Sequence, residues 1–130
     1  MIISILTSTE EHPIYEYLVK WAKKNKKNHK IIIAHSKNEL ISGDILFLIS
    51  CSEIITKTER DKFKNTLVIH ASDLPYGRGW SPHVWEIING STGITLSLLE
   101  AEDKVDTGDI WKKTNINIPK TFLFEEINDL

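Results

Sequence analysis

The sequence predicts an α/β fold, with a mostly parallel open sheet covered by helices on both faces. Short β-branched runs of strand length alternate with segments of helical periodicity. The strand runs are apolar throughout rather than half polar, as expected of strands buried on both sides. The helical segments between them are polar and charged, the pattern of elements that cover such a sheet.

Met1–Leu6 and His29–Ala34 are the first two strand runs, and Ile14, Tyr17, Leu18 and Trp21 recur between them at helical spacing, which makes a βαβ unit. The helix is expected from about Glu10 to Lys27. Its KKNKKN end places positive charge where the helix dipole favours it, so a solvated helix end accounts for the lysines without a nucleic-acid partner. Asp44–Ser50 (DILFLIS) is the third strand. Thr66–Ile69 is the fourth, after a charged helical segment from Thr56 to Lys64. A further helix is expected from Ser81-Pro82 to Asn89-Gly90, with Ser as its cap, Pro in its first turn and Gly at its stop. Gly93–Leu99 and Asp109–Trp111 supply the remaining strand material, and an amphipathic FLFEEINDL helix follows Pro119.

At 130 residues and 41% hydrophobic composition the chain holds one core, so a single domain over residues 1–130 is expected. Sixteen basic against eighteen acidic residues give a formal net charge of −2, a field that does not draw nucleic-acid phosphates. The amino terminus lacks the basic segment and cleavage site of a signal peptide, and no apolar run approaches membrane-spanning length. The lone Cys51 excludes an internal disulfide framework and reads most simply as a buried small hydrophobe; the expected location is the cytoplasm.

The first strand-to-helix turn, LTSTEEHPIYEYL, contains no glycine, which excludes both a dinucleotide fingerprint and a P-loop. Histidines 12, 29, 35, 70 and 83 form no i, i+4 pair and Cys51 has no partner cysteine, so no metal is expected.

Residues 68–109 carry the chemistry. His70 ends a β-branched run, a Pro/Gly/Arg turn follows, and a V-D-T-G-D turn returns after a further strand, a layout for a His–Asp pair in a cleft. Ligands of open α/β sheets bind beyond the carboxyl ends of the strands, which is where His70 falls.

His70-Ala71-Ser72-Asp73-Leu74-Pro75, Arg78-Gly79-Trp80-Ser81-Pro82, Thr92-Gly93-Ile94-Thr95 and Val105-Asp106-Thr107-Gly108-Asp109 occur in that order. Together they resemble the amino-terminal domain of the folate-dependent formyltransferases. That family includes the methionyl-tRNA, glycinamide ribonucleotide and amino-sugar N-formyltransferases, and HASDLPYGRGWSP looks most like the sugar-modifying branch. The resemblance covers about residues 44–111 and implies a Rossmann-like formyltransferase fold, with N10-formyltetrahydrofolate as co-substrate and no metal.

Formyl transfer needs a proton acceptor for the attacking amine, a proton donor for the leaving nitrogen and stabilisation of an oxyanion. In the family an Asn, a His and an Asp meet these needs. His70 matches the histidine and Asp106 the aspartate, which orients the imidazole; the asparagine position is Val68 here. The resemblance places folate against Glu53, Ile54 and Ile55 and against the 102–106 loop, including Glu102 and Asp103, and the acceptor near Ser72, Tyr76, Gly77 and Arg78. It leaves room for a homodimer.

Simpler roles exist for several of these residues. Asp106 also suits the opening of a D-T-G turn. Arg78 fits a substrate anion or solvent equally well, and Trp80 and Trp85 read as core or cleft wall. In the family more chain follows the last helix, so a fragment or a reduced version is expected. The first turn lacks the glycines to hold a ribonucleotide phosphate, and the basic carboxy-terminal domain of the tRNA enzymes is not expected in this acidic chain. By elimination the expected acceptor is a nucleotide-linked amino sugar. The alternatives are a weak or inactive domain that binds folate or a nucleotide sugar, motivated by Val68, and a methionyl-tRNA formyltransferase-like fragment.

Overall fold

The computed structural model describes residues 1–78 and 82–119, so Gly79, Trp80, the Ser81 cap and the FLFEEINDL helix lie outside the described residues. The chain forms two units, Met1–Val68 and the residues from Ile69 onward.

In the first unit, β1 (Ile2–Leu6) lies between β2 (Lys30–Ala34) and β3 (Gly43–Ile49) and is parallel to both, with Ile3 opposite Ile31 on one side and Ile45 on the other. Ile3, Ile5, Leu6, Ala34, Leu46 and Leu48 form the core around it, and the burial of successive β1 residues explains why that strand reads as a continuous apolar run. Helix α1 spans Ile14–Asn25 and buries Leu18, beginning four residues later than expected. Its amino end is displaced because residues 9–13 form a turn of their own. Thr9 Oγ1 accepts from the Glu11 amide at 3.2 Å, His12 Nδ1 accepts from the Ile14 amide at 3.1 Å, and Pro13 occupies the cap. Lys23 and Lys24 lie in the last turn, at the favourable end of the dipole.

Helix α2 is a single turn, Lys57–Arg60, opened by a capping box in which Thr56 and Glu59 satisfy each other's amides. The helical reading to Lys64 overran it, because Phe63 is buried and already begins β4 (Phe63–His70).

The second unit contains α3 (Pro82–Ile88) and the antiparallel pair β5 (Gly93–Glu100) and β6 (Ile110–Asn117), with a bulge between Leu98 and Leu99. Gly90 stops the helix in the left-handed conformation at φ 88°, as its position in the sequence suggested. β6 runs to Asn117, well beyond the expected Asp109–Trp111. Its residues from Ile110 to Asn115 are exposed, so it carries no apolar pattern and is held by backbone pairing to β5. The six-stranded sheet has the order β2-β1-β3-β4-β5-β6, the expected α/β arrangement with an antiparallel pair at one end. No described helix is long and apolar enough to cross a membrane.

Asp44 on β3 fastens the start of the first unit. Its carboxylate accepts from Lys64 Nζ at 2.5 Å and from the Ile2 amide at 2.7 Å, and these bonds, the lysine first, hold its pKa below the ordinary aspartate value. A lowered folded-state pKa stabilises the fold above the unfolded value, and that stabilisation is lost as pH falls through the folded value. Asp44→Asn is therefore expected to flatten this part of the acid limb: urea midpoints at pH 6 and pH 2 should differ less in the variant than in the wild type.

Candidate functional site

β4 carries His70 to its carboxyl end and leaves the side chain 10% exposed. Two segments of the second unit meet it there. One is the turn of residues 71–78, which brings the Gly77 carbonyl 2.7 Å from Nε2; the other is the 101–109 loop, which places Asp106 Oδ2 3.6 Å from the same nitrogen. A carbonyl oxygen can only accept, so Nε2 carries the proton and donates it to Gly77. The expected His–Asp pair is thus brought together, but its short hydrogen bond goes to main chain. At 3.6 Å Asp106 stands to Nε2 as a neighbouring charge rather than as the acceptor of its proton. A neutral imidazole held in this way leaves Nδ1 as its proton-accepting nitrogen.

The turn is built for this approach. Gly77 has φ 68°, and a Cβ there would stand 2.8 Å from Ser72 Cβ, so glycine answers both a conformational and a packing demand. The Tyr76 amide closes onto the Asp73 carbonyl at 3.0 Å. From β5, Ser97 Oγ donates to the Ser72 carbonyl at 2.7 Å; from β6, Lys113 Nζ donates to Asp73 Oδ1 at 2.6 Å and to the Leu74 carbonyl at 2.7 Å.

The 101–109 loop is equally constrained. Its ends are joined by the Glu100 amide donating to the Asp109 carbonyl at 2.9 Å, and Thr107 Oγ1 donates to the Lys104 carbonyl at 2.7 Å. Gly108 crosses so close to β5 that a Cβ would fall 1.8 Å from the Glu100 carbonyl oxygen. Asp106 adopts φ 57°, a conformation Asp tolerates better than most residues, and its side chain is 4% exposed beside the imidazole. The aspartate is therefore both a turn residue and the partner of His70.

The other expected site residues divide by exposure. Tyr76, Gly77 and Arg78 are exposed, whereas Ser72 is fully buried beneath the turn and presents no side chain to solvent. Glu102 and Asp103 are exposed on the loop. In the first unit Ile54 is exposed and Ile55 buried, and the Glu53 carboxylate accepts from the Lys37 amide at 3.2 and 3.3 Å. Trp85 is 64% exposed and so is not core; Trp80 lies outside the described residues. Cys51 is half-buried, and burial pushes its thiol pKa up, in keeping with an unreactive small side chain. Among the described residues no group of three or more His, Cys, Asp and Glu is placed to hold a metal. Sequence reasoning missed Ser97 and Lys113, which carry no motif and act only through main-chain carbonyls and Asp73.

Gly108→Ala should displace the loop, because the obstructing atom belongs to main chain and has no rotamer to yield. A loss of about 1–3 kcal/mol in chemical denaturation is expected, together with shifted NMR resonances for His70.

Residues 6–129 match the family described as Formyl transferase. The methionyl-tRNA formyltransferase of Finegoldia magna is 31% identical over 90 residues, covering 68% of this chain and 29% of that protein. Among solved structures, methionyl-tRNA formyltransferase from Clostridium thermocellum superposes with a TM-score of 0.76 at 28% identity, over 92% of this chain and 54% of that one. The formyltransferase PseJ from Anoxybacillus kamchatkensis, in complex with tetrahydrofolate and UDP-4,6-dideoxy-4-formamido-L-AltNAc, superposes with a TM-score of 0.71 at 17% identity, over 99% of this chain and 67% of that one. The chain therefore spans less than a third of the first of these relatives.

Proposed function

The chain belongs to the formyl transferase family, and from that premise we propose that it transfers a formyl group from N10-formyltetrahydrofolate to an amine, within a single formyltransferase-like domain. The observation that carries this reading is the anchored imidazole: His70 Nε2 fixed on the Gly77 carbonyl, with the buried Asp106 carboxylate alongside. The folate supplies an activated formyl carbonyl and a nitrogen leaving group. His70 takes a proton from the attacking amine at Nδ1 and returns one to the departing nitrogen, while Asp106 stabilises the imidazolium between the two steps. Arg78 and Tyr76, exposed on the turn, are the side chains proposed to meet the acceptor.

The segments assigned to folate suit a pterin taken one at a time. One presents Ile54, 65% exposed, and the other Val105, 53% exposed, next to Glu102 and Asp103. Each offers a flat ring an apolar surface beside main chain. Glu53 would act by holding its segment on the Lys37 amide rather than by touching the ligand.

The acceptor we propose is the amine of a nucleotide-linked amino sugar, supported by the sequence of the 70–82 turn and by the acidic net charge. The second reading is methionyl-tRNA, favoured by the 31% identity to the Finegoldia magna enzyme. Supplying formyltetrahydrofolate with each acceptor in turn and following acceptor-dependent release of tetrahydrofolate separates the two. His70→Ala should lower turnover about 10²–10⁴-fold. Turnover absent with both acceptors, with folate binding unchanged in His70→Ala, would overturn the catalytic reading.

Val68 occupies the position where the family places an oxyanion donor, and one such donor is worth about 2.7–4 kcal/mol in other enzymes. Val68→Asn is accordingly expected to raise kcat by about 10²-fold or more with little change in KM. An unchanged or lower kcat would mean that another group already fills the role.

A further inference from the structure

We propose that Lys113, on β6, is a positioning residue: by bridging Asp73 and the Leu74 carbonyl it fixes the turn whose Gly77 carbonyl holds the His70 Nε2 proton. The proposal deepens the acid/base reading of His70 and rests on it for its bearing on catalysis.

Lys113 Nζ reaches two atoms of one short segment, a carboxylate oxygen at 2.6 Å and a main-chain oxygen at 2.7 Å. An exposed Lys–Asp pair alone would contribute little, since such pairs are screened by water. The second bond changes its role, because a charge-assisted bond to the Leu74 carbonyl ties down backbone three residues from Gly77. Asp73 is held twice over: its side chain binds Lys113, and its carbonyl accepts from the Tyr76 amide at 3.0 Å. Ser97 fastens the preceding carbonyl, that of Ser72, from β5. Lys113 and Ser97 are opposite one another in the β5–β6 register, so one cross-strand pair grips consecutive parts of the turn. With the turn fixed, the Gly77 carbonyl stays on Nε2 and the imidazole keeps Nδ1 as its basic nitrogen. With it loosened, the ring is free to flip or to change tautomer, and only some molecules present the correct nitrogen.

Lys113→Met removes the ammonium and keeps most of the stem on a partly exposed strand, so folding should be retained. Lys113→Arg restores a cation with several donors, and Lys112→Met is the control on the same strand. The readout is the His70 imidazole in the ligand-free full chain, by long-range ¹H–¹⁵N correlation for the tautomer and by the solvent exchange rate of the Nε2 proton. We expect a single Nε2–H tautomer in the wild type and in Lys112→Met. In Lys113→Met we expect mixed tautomers and exchange at least about tenfold faster, partly rescued in Lys113→Arg. Where formyl transfer is measurable, Lys113→Met should lower kcat with KM nearly unchanged. A His70 tautomer and exchange rate identical in the wild type and Lys113→Met would overturn the positioning role whatever the activity. Loss of the Nε2–H tautomer in Lys113→Met from a chain that shows no transfer in any form would uphold it while removing the catalytic reading.

Discussion

The bond from His70 Nε2 to the Gly77 carbonyl sets what the rest of the second unit must accomplish. A histidine at a strand end can rotate about two side-chain bonds and exchange its proton between two nitrogens. A general acid/base needs one orientation and one tautomer. A main-chain carbonyl is suited to impose both: it cannot donate, does not titrate and moves only with its turn. Asp106 at 3.6 Å supplies charge without competing for the same proton.

The cost of that arrangement appears in the backbone. Gly77 at φ 68° and Asp106 at φ 57° lie in the left-handed region, and Gly108 passes within a distance of Glu100 that admits no side chain. Left-handed backbone also occurs elsewhere, at Ser50 (φ 48°) and at the helix stop Gly90 (φ 88°), but around His70 it comes on both segments that meet the imidazole, where geometry outweighs local preference. The surroundings over-determine it: hydrogen bonds from Ser97 and Lys113 hold the turn, and the Glu100–Asp109 bond closes the loop.

How much of this could be read from the sequence follows from burial. β1 was legible because burial of successive residues leaves an unbroken apolar run; β2 and β3 were legible from equally apolar runs, although only Ala34 of β2 and Leu46 and Leu48 of β3 are buried. β6 was legible only at its start, since an exposed edge strand of Lys, Thr and Asn is held by backbone bonds that leave no trace in side-chain pattern. The start of α1 was misread because Thr9 and His12 cap a separate turn ahead of it. His70 and Asp106 stood out as members of an ordered motif. Ser97 and Lys113 did not, because serine and lysine are common and their contribution depends on which carbonyl happens to lie opposite. The burial of Ser72 was hidden for the same reason: a serine in a turn motif reads as a surface hydroxyl until the glycine packed against it is seen.

Val68 bears on what the anchored imidazole would have to do in the proposed reaction. In formyl transfer three charges must be managed: the proton leaving the amine, the proton reaching the departing nitrogen and the oxyanion between them. With Nε2 committed to Gly77, the first two would fall, in the proposed reaction, to the same nitrogen, Nδ1, in succession. That nitrogen has to stay in place while the tetrahedral species forms and collapses, which a freely rotating ring would not do. An asparagine two residues upstream would take the third charge, and an isopropyl group cannot. In the proposed reaction the oxyanion would then be left to main-chain amides, to solvent or to the His70 imidazolium, and only the last of these makes rate depend more strongly on where the imidazole is held. Where His70 takes that charge, the clamps on the turn matter more in a chain with valine at this position than in one with asparagine.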